Sequence, residues 1–202
     1  MKRRVRKYLP WLTVAMMMIL VLAGCGKKAE KVKLREEPYA QEKFLMGTYV
    51  RIRVYDDGKE SALEPAFDRI KELADKITIN QKGSEIDAIN AKAGVEPVKV
   101  SDDIYYLLKA AYNYSKETDE AFNMTIGAIT QLWRIGFDDA RKPEQSEIDE
   151  ALKHINYEQV EFNDEDHTVY LKDKDMILDL GAIAKGYITD EVVKVLKDNG
   201  VT

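Results

Sequence analysis

The chain has 202 residues, one cysteine, two histidines and a formal net charge of −5. A lone thiol excludes a disulfide framework and a thiolate metal cluster. The acidic balance excludes nucleic acid as the default partner.

Lys2, Arg3, Arg4, Arg6 and Lys7 form a basic head, and Trp11 to Leu22 is an apolar run too short for a comfortable membrane span. Leu22-Ala23-Gly24-Cys25 then reads as a lipobox, with small residues at the two positions where cleavage needs them. Residues 1–24 are therefore expected to be a lipoprotein signal peptide, cut before Cys25, whose thiol receives lipid. An uncleaved anchor with a chance cysteine is the alternative. Either way the folded part is expected on the extracytoplasmic face of the cell membrane. Removing the five head cations from 31 leaves 26 Lys and Arg against 36 Asp and Glu, a net charge of −10. A basic patch would thus not hold the protein on anionic lipid; acyl chains would. Residues 25–42 are polar and aperiodic and read as a tether. Residues 43–202 suit one domain.

Phe44 to Tyr55 alternates, with Met46, Thr48, Val50, Ile52 and Val54 on one face and Arg51 and Arg53 on the other. That pattern predicts one half-buried strand ending at Asp57-Gly58. Lys59 to Ile77 carries Leu63, Phe67, Ile70, Ala74 and Ile77 on one stripe, an amphipathic helix that tolerates Pro65 in its first turn. Ser84 with Asp87 reads as a capping box opening a helix that ends near Ala93-Gly94. Pro97 to Val100 predicts a short strand. Ser101 is expected to cap a long helix with Ile104, Leu107, Leu108, Ala111 and Tyr112 inward. Tyr105, Tyr106, Tyr112 and Tyr114 spread around that helix, so core and surface roles are expected rather than a stacking platform.

Ala121 to Gly127 combines an apolar ring, a side-chain amide and a glycine. Leu132-Trp133 is expected to close a short helix with Trp133 in the core. Ser146 is expected to cap a helix through Ile155, with Ile148, Leu152 and Ile155 as its apolar face. His154 reads as structural and His167 as exposed; two isolated histidines do not make a zinc site. Gln159–Phe162 and Thr168–Leu171 predict a hairpin. The acids Glu161, Asp164, Glu165 and Asp166 near its turn lack the spacing and glycine of a calcium loop.

Met176 to Leu180 is a short apolar run with one carboxylate, Asp179, and predicts a buried strand. Gly181 to Gly186 predicts a loop of small residues with one cation, Lys185. A helix follows, with Tyr187, Ile188, Val192, Val195 and Leu196 at helical spacing and Gly200 at its stop. Strand, glycine loop and helix start together suit a phosphate. The bland alternative is an ordinary tight turn. Tyr187 stands where a Walker loop needs Lys, so the stretch is not a P-loop. Asp179 beside a phosphate implies a bridging cation such as Mg²⁺, or a donor group on the ligand.

Leu178-Asp179-Leu180-Gly181-Ala182-Ile183-Ala184-Lys185-Gly186-Tyr187 resembles the central motif of the ApbE family, the FAD:protein FMN transferases. Met46-Gly47-Thr48, Ser84-Glu85-Ile86 with Ile89-Asn90, and Ala121 to Gly127 followed by Trp133 match in the family's order. The resemblance covers Phe44 to Thr202. It implies an α+β flavin transferase fold, with a mixed or antiparallel sheet, packed helices, and a C-terminal part missing beyond Thr202, which would leave sheet edges open. It also implies a reaction. FAD is bound with a divalent cation on its pyrophosphate, and a Thr or Ser hydroxyl of a target flavoprotein attacks the phosphorus on the riboflavin side. AMP leaves, and FMN stays attached as a phosphoester.

Carried over residue by residue, Met46, Asn80, Ala121, Phe122 and Asn123 would line the flavin pocket. Asp179 would hydrogen-bond the nucleotide, Lys185 would supply charge, and the backbone carbonyl of Ala182 would be a metal ligand. Asn80 stands where some members carry an aromatic residue. Asn123 stands where members usually carry Asp, so a charged acceptor is lacking there. Asp190 is either an outer support of the site or a surface acid. No catalytic side chain or general base is assignable within the chain. The acceptor implied by the resemblance is a subunit of a sodium- or proton-pumping redox complex. Two rivals stand beside this reading. One is an exported lipoprotein, or inactive fragment, that holds FAD without transferring it. The other is a substrate-binding lipoprotein for transport, which needs two lobes for which the chain is short.

Overall fold

The computed structural model describes residues 32–202. The expected signal peptide, Cys25 and the first part of the expected tether lie outside the described residues. Leu34–Thr202 form one compact unit. Its strands are β1 (Leu34–Leu45), β2 (Thr48–Asp56), β3 (Val98–Lys99), β4 (Val160–Asn163) and β5 (Thr168–Leu171). Its helices are α1 (Leu63–Ile77), α2 (Glu85–Ala91), α3 (Asp102–Glu117), α4 (Gly127–Trp133), α5 (Gln145–Ala151) and α6 (Gly181–Asp198). The architecture is α+β, with a two-stranded antiparallel sheet, β1-β2, and a three-stranded antiparallel sheet in the order β3-β5-β4.

The first sheet corrects two expectations. Residues 34–42, read as tether, belong to strand β1. Their pattern hides this because polar residues stand on the inward face between Tyr39 and Leu45: Gln41 and Lys43 both donate to the Glu64 carboxylate of α1. Lys43 Nζ also lies 4.9 Å from the centre of the Phe67 ring, so aliphatic stem and cation substitute for an apolar side chain. Secondly, Phe44 to Tyr55 is not one strand. The chain reverses at Met46 and Gly47, with φ of 53° and 70°. Leu45 pairs with Thr48 across this two-residue turn, and positive φ at both central residues matches the right-handed twist of a hairpin.

The core forms where α1, α3 and the last third of the chain meet. Phe67, Leu73, Ile104, Leu107, Leu108, Met124, Met176 and Leu178 are fully buried in one cluster. The predicted stripe of α1 is buried except for half-buried Ala74, with Leu73 and Ala66 added to it. Tyr105 is buried while Tyr106 and Tyr114 are exposed, as the helical spacing requires. Two helix-end assignments and one surface assignment differ. Ser101 flanks α3 but gives its N–H and hydroxyl to the Glu85 carboxylate instead of capping. Helix α5 is capped by Glu144 in a reciprocal box with Glu147, so the cap lies two residues before Ser146, and Leu152 is exposed. His167 is not free on the surface: it stacks 4.3 Å from the Tyr105 ring, with Nδ1 2.8 Å from Asp102.

An ionic cluster ties α1, α3 and α6 together. Arg69 donates to both Asp103 oxygens at 2.6 and 3.0 Å and to Glu191 at 2.8 Å. Lys76 joins at Asp103, and Tyr187 donates to the Asp103 backbone carbonyl. Hydrogen bonds from Arg69 hold the Asp103 carboxyl below its usual range. Lys76 and then Arg69 do the same for Glu72. Burial, with Glu191 and Asp103 nearby, pushes the Tyr187 phenol up to about 12.

Carboxyls depressed in the folded state contribute stability above their unfolded range, which is lost as pH falls through the folded value. Urea midpoints should therefore hold steady above about pH 5 and drop below about pH 4. In Arg69→Met the loss at pH 7 should be about 2 kcal/mol, reduced from a fully buried pair by partial exposure, and the acid dependence should flatten.

Candidate functional site

The segment Met176–Leu180 buries every second residue but belongs to no sheet. Its only ladder contact among the described residues is a parallel bridge between Ile126 and Ile177. A side chain completes the pairing. Asn90 Oδ1 accepts from the Leu178 N–H at 2.8 Å, and Asn90 Nδ2 donates to the Leu178 carbonyl at 3.2 Å. On the other edge Gly127 N–H donates to the Ile177 carbonyl and Asp179 N–H to the Met124 carbonyl, each at 3.0 Å. A Cβ on Gly127 would lie 2.5 Å from the Ile177 carbonyl oxygen, so only glycine lets the start of α4 approach this closely.

Alternation along the segment buries Met176, Leu178 and Leu180 and turns Asp179 to the other side. There the carboxylate is gripped at both oxygens. Thr130 donates to Oδ2 at 2.6 Å from α4, and the Gly181 N–H donates to Oδ1 at 2.9 Å. Asp179 lies on a cleft of about 570 Å³, also lined by Ile79, Asn80, Thr130, Trp133 and Arg134. Arg134 is held to Asp139 and Gln131 and lies 4.7 Å over the Phe137 ring. Its guanidinium holds the Asp139 carboxyl below the ordinary range.

Two expected site residues, Asn80 and Asp179, thus share one cleft. Met46, Ala121, Phe122, Asn123, Ala182 and Lys185 are outside its lining. Met46 is half-buried at the hairpin turn and packs against the core, as does Phe122. Asn123 is buried and internally committed: Oδ1 accepts from the Thr125 N–H and hydroxyl, and Nδ2 lies 3.3 Å from Glu120. An Asp in its place would set two carboxylates side by side, which accounts physically for an amide here.

The expected loop 181–186 is helix: α6 starts at Gly181. This narrows the anion reading. Asp179 takes the Gly181 N–H, and the Leu180 carbonyl takes those of Ile183 and Ala184. Ala182 N–H is the first-turn donor left without a partner among the described residues. Lys185 is exposed. Asp190 is exposed too, whereas its neighbour Glu191 belongs to the Arg69 cluster.

Sequence reasoning missed Thr130, Ile79 and Arg134 and placed Trp133 in the core, although it is half-buried on the cleft wall. No local signal marks them: Thr130 stands on α4, and Arg134 lies just past its end in the left-handed conformation, with φ of 46°. Ala128 and Leu132 line a second cleft of about 480 Å³ with Glu150, His154 and Asp175. There His154 Nδ1 lies 2.6 Å from Asp173, so this histidine is structural but not isolated. His154, Asp173 and Asp175 are the one group among the described residues spaced to hold a cation, but Lys174 already pairs with Asp175 at 2.9 Å.

The ApbE family model matches residues 46–202. The FAD:protein FMN transferase of Treponema pallidum (strain Nichols) is 35% identical over 188 residues, 89% of this chain and 51% of that protein. One from Klebsiella pneumoniae (strain 342) is 36% identical over 163 residues, 81% of this chain and 51% of that protein. The crystal structure of the apbe protein from Thermotoga maritima MSB8 matches with TM-score 0.76 and 32% identity, covering 81% of this chain and 54% of that one. Apo flavinyl transferase ApbE of Pseudomonas stutzeri matches in fold, with TM-score 0.73 at 22% identity, over 82% of this chain and 54% of that one. The chain spans about half the length of the curated relatives it matches.

Removing the Asn90 amide would strand both backbone groups of Leu178 in the core. Asn90→Ala is expected to cost about 2–4 kcal/mol in urea unfolding. Asn90→Asp keeps the acceptor for the Leu178 N–H but sets a carboxylate oxygen against the Leu178 carbonyl, so it should cost at least as much.

Proposed function

The chain belongs to the ApbE family, and from that membership we propose that it takes part in FAD:protein FMN transfer. The observation that carries this reading is the convergence of Asn80 and Asp179 on one cleft beside the start of α6. In the proposed reaction a Thr or Ser hydroxyl of a target flavoprotein attacks the FAD phosphorus nearer riboflavin. The hydroxyl loses its proton, the bond from that phosphorus to the bridging oxygen breaks, and AMP departs with that oxygen. FMN remains on the target as a phosphoester. Such a transfer asks for positioning and for compensation of negative charge more than for covalent help. Ala182 N–H and the Lys185 ammonium would meet phosphate oxygens, and Asp179 would accept from a nucleotide hydroxyl or N–H. The α4 wall, with Ile129 and Trp133, would exclude water from one side of the ligand.

Mg²⁺ takes hard oxygen ligands and is held by one or two carboxylates together with substrate phosphates and water. The Ala182 carbonyl, the ligand the resemblance implies, would be one of the oxygens holding the ion, which when bound neutralises charge on the pyrophosphate; Asp179 keeps its free lone pairs for donors on the nucleotide. The proposed setting is the extracytoplasmic face of the membrane, with lipid on Cys25; the lipobox and the basic head support it. The acceptor would be a subunit of a membrane redox complex.

A rival reading, an exported FAD holder, draws on the Asn123 amide being spent on Thr125 and Glu120. One assay separates the two. The chain is incubated with FAD, Mg²⁺ and a peptide carrying an acceptor threonine, and the peptide is read for flavin fluorescence and an FMN mass increment. Labelling that is lost in a double Asp179→Ala, Lys185→Ala variant is the expected result. Bound flavin without labelled peptide would establish the holder, and labelling that survives the double substitution would remove this site from the reaction.

A further inference from the structure

We propose that Thr130 is a positioning residue that orients the Asp179 carboxylate for a flavin dinucleotide and restricts it to accepting hydrogen bonds; the proposal rests on the transferase reading above. Thr130 is half-buried on α4, and its hydroxyl oxygen lies 2.6 Å from Asp179 Oδ2 and 3.3 Å from the Gly127 carbonyl. A hydroxyl has one proton to donate, and the shorter, charge-assisted bond takes it. The Gly181 N–H fixes the other oxygen at 2.9 Å. The Asp179 backbone is itself tied to Met124. The carboxylate plane is therefore set from two sides, by the start of α6 and by α4.

This arrangement has a chemical consequence. Both protein partners are donors, so each Asp179 oxygen acts as an acceptor with lone pairs left over. The ligand group it takes must then be a hydroxyl or an N–H, such as the ribityl or ring donors of a flavin nucleotide, and not a bare phosphate oxygen. Thr130 also couples this contact to the ligand's other neighbours. Ile129, Gln131 and Trp133 on the same short helix line the same cleft. Both bonds to the carboxylate are made within the chain, so it is aimed before the ligand arrives.

The test is a double-mutant cycle on the full chain with Mg²⁺, reading FAD dissociation constants by quenching of flavin fluorescence and unfolding midpoints in parallel. Thr130→Val should weaken FAD about tenfold. Thr130→Ser, which keeps the hydroxyl, should stay within about twofold of wild type. In an Asp179→Asn background Thr130→Val should add nothing, because the side chain it would orient is changed. Thr130→Ala provides the same comparison should valine disturb packing. Wild-type affinity in Thr130→Val, equal losses for Val and Ser, or additive effects with Asp179→Asn would overturn the positioning role while the transferase reading stands. A wild-type chain with no FAD affinity would overturn both.

Discussion

The paired hydrogen bonds between the Asn90 amide and the backbone of Leu178 are the constraint on which the site depends. The segment 176–180 runs through the core, burying every second residue, with no sheet on that side. Buried backbone donors and acceptors need partners, and water cannot reach these. A side-chain amide is the one neutral group that offers donor and acceptor at the spacing of a peptide unit. Asn90 can do this because α2 is short and placed against the segment. Were the register of 176–180 to slip by one, Asp179 would enter the core and Leu178 would face the cleft. Pairing at Leu178 and the orientation of Asp179 are thus one fact seen from two sides.

The opposite edge makes the same point with a different device. Gly127 lets the start of α4 sit against the Ile177 carbonyl. The short helix that follows would be unstable alone. Here it is placed by the parallel bridge, by the Asp179 N–H to Met124 carbonyl bond, and by Ser115, whose hydroxyl accepts from the Met124 N–H in the buried interior. The two sequence motifs, 121–127 and 178–187, are far apart in the chain and in backbone contact in the fold. Their meeting sets Thr130 over Asp179 and divides α4 into two faces, one for each cleft.

Periodicity made α1, α3, β2 and the β4–β5 hairpin legible from sequence, because each buries a continuous stripe or alternate face. Where burial was achieved otherwise, the pattern failed. Strand β1 turns Gln41 and Lys43 inward, so polar residues stand where an alternating rule expects apolar ones. The reversal at Met46 has no Asn-Gly signal, and an unbranched methionine tolerates the left-handed conformation only because the hairpin enforces it. The motif glycines read as a loop, yet Gly181 and Gly186 are helical. Asp179 supplies the missing cue by accepting from the first N–H of α6, a capping role that local sequence rules assign to the residue just before a helix and not to one two positions upstream. Asn80 and Asp179 were identifiable only by resemblance. Thr130, Ile79 and Arg134 carry no local signature, since what brings them to the cleft is the contact between distant segments.

The start of α6 also decides what kind of phosphate site is physically available. A Walker-type loop presents several free N–H groups around an anion. Here most first-turn donors are already engaged, and Asp179 places a negative charge at the helix start, where the macrodipole favours it. An isolated phosphate would meet that carboxylate as a like charge. The arrangement therefore disfavours small anions. It favours a ligand that brings donors for Asp179 and phosphate oxygens for Ala182 and Lys185 at different points along its length, with a cation to lower the repulsion between them. A dinucleotide with polyol and diphosphate in one molecule meets those demands, and a mononucleotide lacking either end would lose one set of contacts while keeping the electrostatic cost of the other.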